Sequence, residues 1–106
     1  MGGIIKNLIN GKWQESSSKE TFESINPADT SDVVGIVTKS SKQDVDRAVQ
    51  AAREAFKTWR LVPAPRRGEI LFKAAEILAG KKQELGELVT REMGKILPEG
   101  LGDVQE

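Results

Sequence analysis

Ser41-Lys42-Gln43-Asp44-Val45-Asp46-Arg47-Ala48-Val49-Gln50-Ala51-Ala52-Arg53-Glu54-Ala55-Phe56-Lys57-Thr58-Trp59 is the stretch in which the chain changes its hydrophobic period. Ser41, with Asp44 three residues on, has the form of a helix N-terminal cap placed just ahead of an apolar series. Val45, Ala48, Val49, Ala52, Phe56 and Trp59 then fall on one helical face, which predicts core packing for Phe56 and Trp59 rather than ligand stacking. Ala48, Ala51, Ala52 and Ala55 combine high helix propensity with a small profile that allows close approach to a neighbour.

Helical signals continue downstream. Pro63 is expected to end the first helix, and Pro65 suits the first turn of the next. Ile70, Leu71, Ala74, Ala75 and Leu78 form a second apolar stripe that stops at Gly80. A third helix is expected from Lys81 to Met93, with Leu85, Leu88 and Val89 inward and Gly94 as a left-handed cap. Pro98-Glu99 opens a fourth, continued by Leu97, Leu101 and Val104. That helix runs to Gln105-Glu106 without a cap, so it is expected to be cut.

Upstream the signals are those of strands. Leu8-Ile9-Asn10-Gly11-Lys12-Trp13 carries an Asn-Gly pair, the strongest short hairpin signal. Gln14 to Glu20, with Ser16, Ser17 and Ser18 in a row, predicts an exposed loop. Thr21-Phe22-Glu23-Ser24-Ile25 alternates apolar and polar residues before Asn26-Pro27, where proline ends the ladder. Val33 to Thr38 is a β-branched run, a further strand. These strands are too few for a barrel and are expected to lie against something else.

Composition restricts the chemistry. The 106 residues hold sixteen Lys and Arg, sixteen Asp and Glu, no Cys and no His. Disulfides, thiolate and imidazole metal sites, cysteine nucleophiles and Ser-His-Asp arrangements are excluded for this chain by itself. What chemistry remains falls to carboxylates, lysines and hydroxyls. Hydrophobic residues make up 38% and charged residues 30%, enough apolar content to build a core. No apolar run approaches the ~20 residues that span a bilayer. Met1-Gly2-Gly3-Ile4-Ile5-Lys6 lacks a secretory core and has Lys6 where a myristoylation signal wants Ser or Thr. A soluble, cytoplasmic protein without nucleic-acid or membrane partners is expected, since zero net charge offers no broad attraction to either.

The short motifs do not assemble a site. Gly80-Lys81-Lys82 and Gly94-Lys95-Ile96 lack the hydroxyl of a P-loop. Gly100-Leu101-Gly102 gives two glycines of a dinucleotide pattern, with Gln105 at the third position and no strand before it. Arg66-Arg67 and Lys81-Lys82 are read as solvated faces offset by Glu69 and Glu84. Asp44 and Asp46 do not face each other on a helix, so capping for Asp44 and solvent for Asp46 are the expected roles.

Taken in order, these stretches resemble the N-terminal end of the NAD(P)-dependent aldehyde dehydrogenase superfamily. Leu8-Ile9-Asn10-Gly11-Lys12-Trp13 is similar to its opening hairpin and Ile25-Asn26-Pro27-Ala28 to its second landmark. Asp44 to Val49, followed by Ala51-Ala52-Arg53, Ala55-Phe56 and Trp59, resembles its first helix. Arg67-Gly68-Glu69-Ile70-Leu71 and Glu92-Met93-Gly94-Lys95 are similar to the next two. Pro63 to Glu69, Glu92 to Ile96, Glu99-Gly100 and Gly102 to Glu106 look most like the semialdehyde-oxidising branches, α-aminoadipic semialdehyde dehydrogenase first and α-ketoglutaric semialdehyde dehydrogenase next.

The resemblance implies an α/β fold with a Rossmann-type cofactor domain, a catalytic domain and an oligomerisation arm. Residues 1–106 would be the N-terminal part of the cofactor-binding domain, with strands and loops over 1–40 and helices over 41–106, three to four in number. It implies oxidation of an aldehyde through a cysteine thiohemiacetal, hydride transfer to NAD or NADP, and glutamate-assisted hydrolysis of a thioester. An asparagine would stabilise the oxyanion. The family's cysteine, glutamate, asparagine and ribose-contacting lysine match no position here, so no catalytic or cofactor-binding residue is carried over and no cofactor is expected to bind this chain alone. No metal ligand is assigned. The one structural cation candidate is the backbone around Ile25 with Asp103, although a helix-surface carboxylate is the preferred reading of Asp103. The implied partners are the remainder of the subunit, an aldehyde substrate and a homo-oligomer, dimer or tetramer. The competing expectation is a stand-alone helical interaction module; a helical nucleic-acid binder comes third.

Overall fold

Two consecutive residues with positive φ fix the first feature of the fold. Asn10 (φ 51°) and Gly11 (φ 73°) form the tight turn that joins β2 (Asn7–Ile9) to β3 (Lys12–Gln14). Positive φ at both central positions is the type I′ geometry that matches strand twist, and it pairs Ile9 with Lys12 and Leu8 with Trp13 in antiparallel register. The Gln14 side-chain amide closes the ladder by donating to the Ile9 carbonyl at 3.2 Å.

The computed structural model describes residues 3–106. Its remaining elements are β1 (Ile4–Ile5), β4 (Thr21–Ile25), β5 (Val33–Thr38), α1 (Lys42–Trp59), α2 (Ala64–Gly80), α3 (Lys82–Met93) and α4 (Leu97–Gln105). β1, β5 and β4 form one sheet in that order, with β1 parallel to β5 and Ile4 opposite Ile36. The Thr38 hydroxyl donates to the Ile5 carbonyl at 2.8 Å. Two units are distinguished, the first of residues up to Ser24 with Gly35–Val62, the second of Ile25–Val34 with Pro63–Glu106. No helix among the described residues is long and apolar enough to cross a membrane.

In the first unit, α1 starts as a capping box: the Asp44 amide donates to Ser41 Oγ at 3.3 Å, and the Ser41 amide donates to Asp44 Oδ2 at 2.7 Å. The helix stops at Trp59, short of Pro63, which instead caps α2 with Pro65 in its first turn. In the second unit, α3 begins at Lys82, one residue later than expected, and Gly94 closes it at φ 72° by donating to the Thr90 carbonyl at 2.9 Å. A Cβ on Gly94 would also stand 2.8 Å from Pro27 Cγ, so glycine is required there twice over.

α3 and α4 meet through two buried glycines. A Cβ on Gly100 would lie 2.5 Å from the Gly86 carbonyl oxygen and 2.7 Å from Thr90 Oγ1; one on Gly86 would lie 2.6 Å from Leu101 Cδ2. This contact brings one helix backbone onto the other.

The expected cores of α1 and α2 are corrected. Val45, Val49, Phe56 and Trp59 are exposed, Phe56 at 60% and Trp59 at 42%, as are Ile70, Leu71 and Leu78. Leu88 is exposed as well, while Leu85 and Val89 are half-buried. Among the described residues, the buried apolar side chains are Ile9 and Val34. Amphipathic periodicity identifies the apolar face of a helix, but it does not supply what covers that face.

Candidate functional site

Asp44 sits in the first turn of α1 and is 1% exposed. Burial of a carboxylate is costly unless donors surround it, and here they do. Ser41 donates its amide and, at 3.0 Å, its hydroxyl to Oδ2, which also accepts from the Ser16 hydroxyl. Oδ1 accepts from the Ser17 amide at 3.3 Å and from Arg47 Nη2. The Ser16 hydroxyl, then the Ser41 amide, hold the Asp44 carboxyl well below the usual carboxylate range. A carboxylate with its lone pairs so occupied is a poor proton acceptor. It fastens the loop before β4 to the start of α1.

That loop corrects a second expectation. Ser16, read as part of an exposed run, is 4% exposed, and its oxygen accepts from the Ser18 amide at 3.1 Å. Ser18 donates onward to the Lys39 carbonyl at 2.8 Å. Three adjacent serines look solvated in sequence because nothing local shows that one is a donor to an acid 28 positions away.

The second polar centre lies in the other unit. Arg91 on α3 grips Asp32 in a bidentate pair, Nε to Oδ2 at 2.9 Å and Nη2 to Oδ1 at 2.6 Å. The Asn26 side chain donates to the same carboxylate at 3.2 Å, and its own Oδ1 accepts from the Ala28 amide at 2.9 Å. Arg91 and then Asn26 lower the Asp32 carboxyl from 3.8 to about 2, and Asp32 in turn raises the Arg91 guanidinium. The segment read as the Asn26-Pro27 landmark is therefore pinned to α3. Sequence reasoning did not find Asp32 or Arg91, because 59 positions separate them and neither stands in a motif.

The other candidates separate. Asp103 accepts from Lys95 Nζ at 2.6 Å on an exposed surface, so its carboxylate is engaged by an ammonium group. Arg66 pairs with Glu69 at 2.9 Å as expected, and Lys42 with Asp46 at 2.6 Å. Lys82 donates to Gln105 at 2.8 Å rather than to Glu84. Gly100 is occupied by the helix crossing. Among the described residues no three His, Cys, Asp or Glu side chains cluster as metal ligands would. An open groove of about 370 Å³ runs between Leu8 and Ile9 of the hairpin and the Ala48, Ala51, Ala52 and Ala55 side of α1. It lacks the convergent charged groups that a phosphate-bearing cofactor needs. That groove does not fit a nicotinamide cofactor, and the carboxylates of Asp44 and Asp32 are already engaged by their own partners.

Comparison with known proteins gives these structural roles a setting. Residues 13–106 match the family described as the aldehyde dehydrogenase family. The malonate-semialdehyde dehydrogenase of Bacillus pumilus is 49% identical over 96% of this chain and 21% of its own length. The α-ketoglutaric semialdehyde dehydrogenase of Bacillus subtilis is 45% identical over 92% of this chain and 20% of its own length. Among solved structures, betaine aldehyde dehydrogenase of Staphylococcus aureus in complex with NAD+ superimposes with a TM-score of 0.90 at 33% identity, covering 95% of this chain and 20% of that one. The chain thus spans about a fifth of the length of the curated relatives it matches. Its strands followed by four helices are the mixed α/β arrangement that those neighbours share with it. The Asn26-Pro27 clamp, the capped first helix and the Gly94 stop all fall in one continuous match, and the chain belongs to the aldehyde dehydrogenase family.

Proposed function

We propose that this chain is the N-terminal scaffold of the cofactor-binding part of an NAD(P)-dependent dehydrogenase that oxidises a carboxylate-bearing semialdehyde to the acid. The observation that carries this reading is the 49% identity to a malonate-semialdehyde dehydrogenase over nearly the whole chain. Malonate and α-ketoglutaric semialdehydes, named for two relatives, share a carboxylate at the end of a short carbon chain opposite the aldehyde, as does the α-aminoadipic semialdehyde expected from the sequence. The substrate class is set at that shared chemistry.

The reaction needs a thiol that adds to the aldehyde and a water that releases the acid. The nicotinamide, when bound, takes the hydride. This sequence contains no cysteine, so the thiol belongs outside these 106 residues. The residues present hold strands and helices in place: Asp44 fixes the α1 start, and Arg91 with Asp32 fixes the Asn26-Pro27 segment. The exposed flanks of α1 and α2 are the surfaces on which the rest of such a subunit would rest, and a homo-oligomeric parent follows from the same resemblance.

Two assays test the reading. The purified chain, given malonate semialdehyde with NAD+ or NADP+, is expected to produce no reduced cofactor by absorbance. Co-expressed with the other four-fifths of the Bacillus pumilus relative as a separate chain, it is expected to restore that production. Turnover by the chain alone would refute the scaffold role. Failure of the two chains to co-purify, with this chain monomeric and cooperatively folded, would favour a stand-alone helical interaction module.

A further inference from the structure

Three asparagines occur in the chain, and the structure gives them different chemical futures. Asn7 is held at both ends of its amide: Nδ2 donates to Ser40 Oγ at 2.8 Å, and Oδ1 accepts from the same hydroxyl group at 3.1 Å. The bulky Leu8 follows it. Asn26 spends its amide on Asp32 and Ala28, and Pro27 after it has no backbone N–H to act as a nucleophile. Asn10 is exposed at the tip of the β2–β3 turn and is followed by glycine. Nothing lies within 4 Å of where a Cβ on Gly11 would sit, so no other part of the chain crowds the turn at that side of Gly11.

From this contrast we infer that Asn10 is a site of spontaneous deamidation and isomerisation, the one position where this chain modifies its own backbone. The Gly11 backbone nitrogen, having lost its proton to solvent base, attacks Asn10 Cγ. A C–N bond forms, the bond to Nδ2 breaks, and the amide nitrogen leaves as ammonia. The resulting cyclic imide takes up one water. Opening at the Cγ carbonyl leaves aspartate; opening at the main-chain carbonyl leaves isoaspartate, with the chain now routed through the side-chain carbon. Ring closure requires rotation out of the type I′ turn, so the reaction proceeds through local opening of the hairpin.

The products differ in consequence. Aspartate keeps the turn, because Asp-Gly also suits type I′ geometry, and adds one negative charge to a chain of zero net charge. Isoaspartate inserts an extra backbone carbon between residues whose register pairs Ile9 with Lys12. That product loses the pairing and releases Ile9, a buried apolar residue. The hairpin wall of the groove against α1 goes with it.

The test is incubation of the full chain at mildly alkaline pH, followed by ion exchange and peptide mapping. An acidic species is expected to accumulate and to map to position 10, with isoaspartate exceeding aspartate. In urea it is expected to form faster, because the turn no longer restrains ring closure. The variant Asn10→Gly, which retains a turn-compatible Gly-Gly pair, is expected to abolish it. Conversion of Asn7 or Asn26 at a comparable rate would overturn the inference. So would an acidic species that persists in Asn10→Gly, or an Asn10 that stays intact in the folded chain while converting in urea. None of these outcomes depends on dehydrogenase activity.

Discussion

Where α3 crosses α4, Gly86 and Gly100 bring two backbones together and the contact is complete; along α1, Val45, Val49, Phe56 and Trp59 stand in solvent. The difference lies in how each surface is made. Small residues let the chain close a joint with its own atoms, whereas large apolar side chains gain only when something else removes them from water. The polar joints belong with the crossing. Asp44 with Ser16, Ser41 and Arg47, and Asp32 with Asn26 and Arg91, are satisfied inside their own units. The chain therefore carries its own fastenings while leaving its widest apolar faces unmatched.

The largest expected effect breaks the crossing. Gly100→Val places branched carbons where a Cβ would already stand 2.5 Å from the Gly86 carbonyl oxygen. Overpacking against backbone, which cannot rotate away, is expected to cost about 3 kcal/mol or more in urea unfolding followed by circular dichroism. The matched substitution on an open flank, Phe72→Ser, alters a residue 77% exposed and is expected to stay within about 0.5 kcal/mol. Equal costs at the two sites would erase the distinction between closed joint and open flank.

A smaller effect separates the two ends of the same argument within α1. Ser41→Ala removes the acceptor for the Asp44 amide and one donor to the Asp44 carboxylate. Loss of such a cap is expected to cost about 1 kcal/mol. Val49→Ser, on the exposed flank of the same helix, is expected to cost less than the cap does. Thermal unfolding of the two variants side by side decides the order.

What the sequence made legible follows the same division. The hairpin was readable because only a few residue pairs tolerate two positive φ angles in succession, and Asn10-Gly11 is one of them. The α1 start and the Gly94 stop were readable because caps are built from neighbours within three or four positions. β1 was not, since Ile4-Ile5 is too short to show a period and acquires meaning only beside Ile36 and Val37. Gly86 and Gly100 signal nothing alone, because a helical glycine becomes a contact only when a second helix arrives. The burial of Ser16 and the Asp32–Arg91 pair depend on partners far along the chain. The apolar stripes were correctly located and wrongly covered: periodicity carries direction, and the covering surface is not written in these residues.

The smallest effect probes a joint that is closed yet half in water. With the Asp32 carboxyl lowered from 3.8 to about 2 in the folded chain, the folded state binds fewer protons than the unfolded state across that interval. The stabilisation from the Asp32–Arg91 pair is therefore fully present above about pH 4 and is lost as the pH falls through about 2. Asp32→Asn removes the charge but keeps the shape. The stability gap between parent and variant should be widest near neutral pH and narrow across this window. Both side chains remain partly exposed, so the gap should also shrink with added salt. Contributions from the remaining carboxylates are common to parent and variant and cancel in the difference. A gap that stays constant down to about pH 2 would mean that the neutral bonds of Asn26, rather than the arginine, hold the Asn26-Pro27 segment on α3.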